Sequence, residues 1–397
     1  MQNSQKIREN IYWVGADDHR TALFENLFPL ENGVSYNAYL ILDDQTCLLD
    51  TADASVSAQF MENVAYVLGE RTLDYLIIDH MEPDHCANIA NIVAQYPEVT
   101  LVGSAKAIQF LHQFYEIEAH EKIVKEKDTL SLGLHTLQFI MAPFVHWPEV
   151  MLTYEQSEKI LFSADAFGSF NALNGNLFND EVDYEKDWLD EARRYYTNIV
   201  GKYGVQVQAA LKKCTALEIA MIAPLHGLIW RNHLEWLLGQ YQLWSTYTPE
   251  TRSVVIFYGS MYGNTENAVK VLAGELHNLG VKDIKMYDVS STMLSTQIAE
   301  VFRASHIVLA SPTYNNEIYP AMQHLLTDLK MLNVQNRTFA LVENGTWAPN
   351  ANKLMKAQLE TLKNTTILEE SLTIKSSLKA ADLSKVKALA KAIQASL

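Results

Sequence analysis

The chain has 397 residues, of which 48% are hydrophobic and 20% charged, a length and composition typical of a globular protein with two or three domains. This composition excludes long disordered or low-complexity segments. Because 47 acidic side chains outnumber 31 basic ones, the net charge of −16 disfavours nucleic acids and anionic membrane surfaces, and we expect neither as a partner.

The cysteines and the apolar runs indicate the compartment. Cys47, Cys86 and Cys214 are far apart in the sequence and form no CxxC pair, so a secreted disulfide framework is not expected. The N-terminal residues have no apolar signal-peptide core, and no run of about 18 apolar residues follows. We therefore expect a cytoplasmic protein that does not span a membrane.

The first part of the sequence mixes short extended segments with helical patterns. Apolar and β-branched runs predict strands, several of them joined by tight turns, and longer stretches have helical periodicity. The predicted strands are 10–14, 36–42, 47–50, 73–78, 100–102, 123–124, 137–142, 151–154 and 160–162, and the predicted helices are 55–68, 187–214 and 233–244. Strands grouped before and after helices predict an αββα sandwich, in which two sheets are covered by helices.

The pattern changes after the polar, proline-containing segment 246–252, which is the best linker candidate in the chain. Beyond it, buried strands alternate regularly with helical stretches, as in a doubly wound parallel sheet. The predicted strands of this part are 254–258, 284–288, 307–310, 339–342 and 367–374. We therefore predict a first domain over residues 1–248 and a second α/β domain over residues 253–397.

Four side chains that can bind metals follow the predicted strand 73–78 within one short segment: His80, Glu82, Asp84 and His85. A lone histidine is most often structural, but a cluster at this spacing favours a metal site. Three further candidates follow other apolar runs, namely His146, Asp165 and His226. Seven ligands suit two metals that share a carboxylate such as Asp165. Because the cluster has no thiolate and three carboxylates, it favours iron or manganese over zinc, and we expect iron.

These motifs resemble the metal-binding motifs of flavodiiron proteins in their order and spacing. The matching segments are His80-Met81-Glu82-Pro83-Asp84-His85, His146-Trp147-Pro148, Asp165-Ala166-Phe167-Gly168 and His226-Gly227-Leu228-Ile229-Trp230. The resemblance implies a metallo-β-lactamase-like domain in which Glu82 replaces the histidine that is usual in the hydrolase relatives. It also implies one iron held by His80, Glu82 and His146, a second held by Asp84, His85 and His226, and Asp165 as their bridge.

Three loops of the second domain follow predicted strands and combine polar with aromatic side chains. The first, 259–265, leads into a helix whose N-terminus favours an anion such as phosphate. The other two, 311–316 and 343–347, offer the apolar faces and directed hydrogen bonds that a planar heterocycle needs. Together the loops resemble flavodoxin and imply FMN, whereas the missing GxGxxG motif disfavours a dinucleotide. The candidate FMN-binding residues are Ser260, Met261, Tyr262, Gly263, Asn264, Thr265, Pro312, Thr313, Tyr314, Asn315, Asn344, Gly345, Thr346 and Trp347.

The third of these loops departs from the Gly-Ser-Tyr-Gly-Trp sequence that flavodiiron proteins often carry. Here Glu343, Asn344, Gly345 and Thr346 precede Trp347, so a tyrosine contact is lost. If Glu343 lay near the flavin ring, its negative charge would disfavour the anionic reduced flavin.

The resemblance covers the chain from about Ile7 onward and implies reduction of O2 to water, or of two NO to N2O and water, by two ferrous ions recharged through FMN. Of the two oxidants we favour O2. Glu82 disfavours a dizinc hydrolase of the metallo-β-lactamase class, which would also leave the flavin domain without a role. A protein that only carried electrons would have no use for the seven ligands.

The resemblance also implies partners. Because the chain has no CxxC motif, we do not expect a fused rubredoxin, and electrons must come from a separate protein such as rubredoxin or a flavin reductase. In this family the FMN of one chain faces the irons of another in a head-to-tail homodimer. We therefore expect a homodimer or a tetramer built as a dimer of dimers.

Overall fold

The computed structural model describes all 397 residues, which form two compact units. The N-terminal unit comprises Met1–Tyr196 and Tyr203–Tyr241, and the C-terminal unit comprises Thr197–Lys202 and Gln242–Leu397. No helix combines the length and the apolar character needed to cross a bilayer. The domain limits 1–248 and 253–397 stay predictions.

The N-terminal unit contains two main sheets and two short hairpins, with helices covering the sheets. Its strands are β1 (Gln5–Arg8), β2 (Ile11–Trp13), β3 (Ala16–Asp18), β4 (Leu23–Phe24), β5 (Phe28–Pro29), β6 (Val34–Tyr36), β7 (Tyr39–Leu42), β8 (Thr46–Leu49), β9 (Tyr75–Ile78), β10 (Thr100–Ser104), β11 (His120–Val124), β12 (Thr129–Ser131), β13 (Thr136–Met141), β14 (Met151–Glu155), β15 (Ile160–Phe162) and β16 (Met221–Ala223). The helices that begin in this unit are α1 (Ser57–Leu68), α2 (Pro83–Cys86), α3 (Ile89–Gln95), α4 (Ala105–Phe114), α5 (Tyr184–Asp187), α6 (Leu189–Tyr195), α7 (Gly204–Cys214) and α8 (Leu234–Ser245).

Both sheets place the ends of parallel strands side by side. The first has the order β1-β2-β7-β8-β9-β10-β11 and is parallel from β8 onward. Leu48, Leu76 and Leu101 on its central strands are completely buried, which explains their continuous apolar sequence. The second has the order β12-β13-β14-β15-β16, and its only parallel pair is β15 with β16. Loops that follow parallel neighbours leave a sheet at the same edge.

The C-terminal unit is a parallel sheet with helices between its strands. The strands are β17 (Thr251–Tyr258), β18 (Ile284–Asp288), β19 (Ala304–Tyr314), β20 (Glu317–Ile318), β21 (Thr338–Asn344) and β22 (Thr366–Ile374), and the helices are α9 (Asn264–Asn278), α10 (Leu294–Arg303), α11 (Pro320–Met331), α12 (Ala351–Leu359) and α13 (Leu383–Ser396). The order β18-β17-β19-β21-β22 is that of a flavodoxin-like doubly wound sheet, whose ligands bind beyond the carboxyl ends of the strands. Short β20 adds an antiparallel pair to the end of β19.

The predicted fold class is confirmed, but two predicted elements are wrong. The helix predicted over 187–214 is interrupted, because 196–203 forms a π turn and a 3₁₀ turn between α6 and α7. β-Branched residues and Gly201 give this stretch a low helix propensity. The strand predicted over 36–42 is divided between β6 and β7. β6 pairs with β3 in a two-stranded sheet, whereas β7 belongs to the seven-stranded sheet. Asn37 causes the break, since its main-chain N–H donates to Leu225 O and its side chain donates to Pro224 O.

Candidate functional site

The seven candidate ligands lie on four loops that follow strands of the two main sheets. The loop after β9 carries the first four, and α2 begins there with Pro83, which suits a first helical turn because the missing N–H needs no partner. His146 lies on the loop between β13 and β14. Asp165 and His226 follow the parallel neighbours β15 and β16. The structure thus brings all seven residues together.

One group of donors surrounds one oxygen of Asp165. His80 Nε2 lies 3.3 Å from both Glu82 Oε2 and Asp165 Oδ2. His146 Nε2 lies 2.9 Å from Glu82 Oε2 and 3.2 Å from Asp165 Oδ2. All four side chains are buried. Two nitrogens and two oxygens therefore converge on a space that fits one metal ion.

A second group surrounds the other oxygen of Asp165. His85 Nε2 lies 3.0 Å from His226 Nε2, 3.3 Å from Asp84 Oδ2 and 3.1 Å from Asp165 Oδ1. His226 Nε2 lies 3.3 Å from Asp84 Oδ2. Each oxygen of Asp165 therefore faces a different group, which is the arrangement of a bridging carboxylate.

Unpaired buried atoms show that this donor set fits cations. Both carboxylate oxygens of Asp84 and Oδ1 of Asp165 are buried and make no hydrogen bond, although His85 Nε2 lies close to two of them. Such oxygens are costly to bury unless a cation binds them. Cys86, the only cysteine next to a ligand, directs its thiol to Met81 O and does not join the set. The donors are thus all nitrogen and oxygen, as iron accepts.

Contacts with the carboxylates raise the pKa values of three ligand imidazoles, those of His80, His85 and His146. Burial opposes ionisation of Asp165, but the charges of His85 and His80 keep its pKa well below the usual range. Burial also opposes protonation of His146, yet its bonds to Asp165 and Glu82 raise the pKa of the ring to about 9. Only neutral imidazole coordinates a metal, so metal binding would replace these protons.

Two groups outside the ligand set hold histidine rings in orientation. His80 Nδ1 lies 2.8 Å from Glu149 Oε1, which also accepts a hydrogen bond from Met81 N at 3.0 Å. His226 Nδ1 donates to the main-chain oxygen of Ser35 at 2.7 Å. Because these contacts engage Nδ1, the Nε2 atom of each ring is left to face the site. Sequence reasoning missed Ser35, because a carbonyl oxygen carries no residue-specific signal.

Two further residues near the ligands were also missed. The buried hydroxyl of Tyr195 has no hydrogen-bond partner, and its ring centroid lies 5.4 Å from that of His226. Glu25, on the turn between β4 and β5, is exposed to solvent on one side and faces Glu82 on the other, and partial desolvation together with the charge of Glu82 raises its pKa to about 8. Both residues are far in sequence from the ligand motifs, so only the folded chain reveals their position.

The contact between Glu149 and His80 should increase the affinity of the site for metal. Replacing Glu149 by alanine removes the acceptor that orients the ring, and we expect affinity for Fe²⁺ to fall about 10- to 100-fold. Titration of the metal-free protein with Fe²⁺ measures this. Glu155→Ala is the matched control, because Glu155 is a buried carboxylate that bonds to His135 and contacts no ligand. Equal affinities in the two variants would contradict the orienting role.

In the C-terminal unit, the three predicted loops surround a cavity of about 550 Å³. Every candidate FMN-binding residue except Gly263 lines it: Ser260, Met261, Tyr262, Asn264, Thr265, Pro312, Thr313, Tyr314, Asn315, Asn344, Gly345, Thr346 and Trp347. Gly263 instead forms the turn before α9, with a φ of +82° that suits glycine. The structure adds Asn316, Ala348 and Ser376 to the lining.

The lining of this cavity fits FMN. The N-terminus of α9 opens at one side, where free N–H groups and the helix dipole favour a phosphate. Tyr262 and Trp347 are 90% and 87% exposed and offer aromatic faces for a flavin ring. No basic side chain lines the cavity, so neutral donors must bind the phosphate.

Glu343 does not lie in this cavity, contrary to the concern raised by its sequence position. Its carboxylate accepts hydrogen bonds from Thr373 Oγ1 at 2.8 Å and from Asn352 N at 2.9 Å. The side chain therefore ties the third loop to β22 and to the start of α12, and its charge is directed into the protein. The expected penalty on the anionic reduced flavin loses its basis.

Comparisons with known proteins agree with both sites. Residues 34–227 match the family described as ODP family beta lactamase, and residues 256–392 match flavodoxin. A nitric oxide reductase from Moorella thermoacetica is 32% identical over 378 residues, which are 94% of this chain and 94% of the relative.

Solved structures extend the agreement to the three-dimensional fold. The rubredoxin oxygen:oxidoreductase from Desulfovibrio gigas has a TM-score of 0.93 and 28% identity, covering 99% of this chain and 98% of that one. The flavodiiron protein from Giardia intestinalis has a TM-score of 0.93 and 25% identity, covering 99% of this chain and 97% of that one. With the paired donor groups and the flavin cavity, these matches show that the chain belongs to the flavodiiron proteins, oxidoreductases that use FMN and a non-haem diiron centre.

Proposed function

We propose that this protein reduces O2 to water, consuming four electrons and four protons for each O2. The observation that carries the proposal is the pair of buried donor groups that meet at Asp165. These donors would hold two irons close to each other, and such a pair would supply electrons to a diatomic oxidant. The structural neighbour from Desulfovibrio gigas is named as an oxygen oxidoreductase, which supports O2 as the oxidant.

In this proposal His80, Glu82 and His146 hold one iron, and Asp84, His85 and His226 hold the other. Asp165 would be shared by the two irons, because its Oδ2 faces His80 of one group and its Oδ1 faces His85 of the other. Glu149 and Ser35 keep two imidazole rings turned toward the metals, and no side chain is needed as a nucleophile. When bound, the irons supply electrons to the oxidant and FMN returns them one at a time.

Reduction of two NO to N2O and water, with two electrons and two protons, is the second candidate. The relative from Moorella thermoacetica, which matches nearly the whole chain, is named as a nitric oxide reductase. Both oxidants would use the same seven ligands. A dizinc hydrolase is disfavoured, because Glu82 takes the position of a histidine ligand and the flavin cavity would have no role.

We propose that a separate donor protein, such as rubredoxin or a flavin reductase, reduces the FMN. We also propose that the chain acts in the cytoplasm and assembles head to tail into a dimer, or into a tetramer of two such dimers.

Metal analysis and anaerobic turnover test the function together. We expect about two irons and one FMN per chain after expression in iron-replete medium, since the seven ligands suit two ions. The reduced protein, mixed in parallel with O2 and with NO, should consume O2 faster. Faster consumption of NO would favour the second candidate. Two zinc ions at full occupancy, with no reaction of the reduced protein with either gas, would refute the oxidoreductase mechanism.

A further inference from the structure

The side chain of Asn344, at the end of β21, joins three loops around the flavin cavity. Its Nδ2 atom donates to Thr265 Oγ1 at 3.3 Å and to the Ser376 main-chain oxygen at 2.9 Å. Its Oδ1 atom accepts a hydrogen bond from Ser376 N at 3.1 Å. Both hydrogens of the amide are therefore used within the protein, and Nδ2 has none left for a cofactor.

Ser376 belongs to a fourth segment of the cavity, the loop after β22, which the sequence analysis did not anticipate. Its backbone has a φ of +67°, a left-handed conformation that a non-glycine residue rarely adopts without support. The paired main-chain bonds with Asn344 provide that support. Its hydroxyl donates to Thr346 Oγ1 at 3.1 Å, so this loop also contacts the third flavin loop.

These contacts occupy an acceptor site on each of two threonine hydroxyls and leave the hydroxyl protons unused. A hydroxyl has one proton, and Thr265 and Thr346 each use a lone pair of Oγ1 to accept a bond from the fourth segment or from Asn344. Their own protons are then free to point elsewhere. Both residues line the cavity, Thr265 at the N-terminus of α9 and Thr346 in the third loop.

We propose that Asn344 and Ser376 form a clamp that orients Thr265 and Thr346 as hydrogen-bond donors toward FMN. FMN suits such a cavity because its phosphate oxygens and ring carbonyls are acceptors. Thr265 lies where the phosphate is expected, and Thr346 lies with the loops expected to hold the ring. Asn344 is thus a positioning residue and not a direct contact of the flavin, and the loop at residue 376 is a fourth flavin-binding segment.

Flavin titrations of the full chain after removal of FMN test the clamp. Quenching of flavin fluorescence gives the dissociation constants for FMN and for riboflavin, which lacks the phosphate. Ser376→Ala removes only the bond to Thr346, so we expect both flavins to bind about 2- to 10-fold more weakly. Asn344→Ala also removes the hydrogen bond to Thr265. Because Thr265 is assigned to the phosphate, the affinity for FMN should fall by a larger factor than the affinity for riboflavin. Ser377→Ala is the matched control, because its hydroxyl makes no hydrogen bond and its side chain does not line the cavity.

Three results would overturn the proposal. The first is an Ser376→Ala variant that binds FMN as tightly as Ser377→Ala. The second is an Ser376→Ala variant that loses affinity for FMN only, since Thr346 is not assigned to the phosphate. The third is an Asn344→Ala variant that loses the same factor for both flavins, as general loosening of the loops would cause. If Asn344→Ala does not fold, the affinities of Ser376→Ala and Ser376→Gly for the two flavins test the proposal. Glycine keeps the backbone hydrogen bonds of residue 376 and removes the same hydroxyl.

Discussion

Replacing Asp165 by alanine is expected to abolish reduction of O2 while leaving the flavin absorption spectrum unchanged. The variant loses the one side chain that faces both donor groups, and four histidines would then approach one another without the central carboxylate. Loss of an outer contact to a metal ligand already costs about 10- to 100-fold, so loss of this ligand should cost at least about 100-fold in turnover. The flavin cavity belongs to the other compact unit, so its cofactor should be retained.

The experiment measures O2 consumption, iron content and the flavin spectrum of the same preparation. Asp17→Ala is the matched control, because Asp17 is a carboxylate of the same unit that accepts a hydrogen bond from Leu173 N and contacts no ligand. Asp165→Asn adds an isosteric variant that keeps the packing. Turnover near the level of the unmodified protein in Asp165→Ala, with iron retained, would show that the bridging assignment is wrong.

The parts of both sites that could be predicted from sequence are those that lie close together in the chain. His80 to His85 form one loop after a recognisable apolar strand, so their spacing alone indicated a metal site. Asp165 and His226 were predicted only as donors that follow other apolar runs, and the structure shows why they meet, since β15 and β16 are parallel neighbours. The three flavin loops could be grouped from sequence, because a parallel sheet aligns the ends of its strands.

What sequence reasoning missed depends on contacts that carry no local pattern. The Ser35 carbonyl, the Tyr195 hydroxyl and Glu25 reach the ligands only through the folding of remote segments. Glu343 is the converse case, since its sequence position left open whether its charge faces the flavin ring, and its contacts with Thr373 and Asn352 show that the side chain turns elsewhere. The direction of a side chain at the end of a strand depends on its tertiary contacts, and the sequence pattern does not contain them.

Apolar side chains are exposed around both sites. Beside the flavin cavity, Tyr262, Tyr314 and Trp347 are 90%, 42% and 87% exposed. Near the iron ligands, Leu23 and Leu27 on the β4–β5 hairpin are 41% and 65% exposed. The same hairpin packs Phe24 against the His226 ring. Exposed apolar groups clustered at a functional site are typical of a surface that a partner covers.

The distribution of charge also favours contact between the N-terminal unit of one chain and the C-terminal unit of a second chain. The N-terminal unit contains 15 basic and 34 acidic side chains, whereas the C-terminal unit contains 16 and 13. Two N-terminal units would repel each other, while a C-terminal unit approaches an N-terminal unit without that penalty. A two-fold axis that forms one such contact forms the second as well, which is the head-to-tail arrangement proposed above.

Mixed dimers of two inactive chains should therefore recover activity. One chain carries Ser260→Asp and Thr265→Val, which remove hydroxyl donors and place a negative charge in the phosphate loop, and the other carries Asp165→Ala. In a head-to-tail dimer the intact flavin of the second chain faces the intact irons of the first. One of the two flavin–iron pairs then works, and we expect about half the activity of the unmodified dimer. Different affinity tags on the two chains allow the mixed dimer to be isolated before O2 consumption is measured.

The decisive control combines all three substitutions in one chain and pairs that chain with an unmodified one. Head-to-tail transfer predicts no activity from this dimer. The flavin of the unmodified chain faces the defective iron site of its partner, and the irons of the unmodified chain face the defective flavin site. Electron transfer within one chain predicts the opposite results. The dimer of the triple-substituted and the unmodified chain would then keep about half of the activity, and the dimer of the two differently substituted chains would have none. The two dimers contain the same set of substitutions, so differences in stability or expression affect them alike. Activity that follows the chain and not the partner would refute the head-to-tail arrangement, because electrons would then pass between the two units of one molecule.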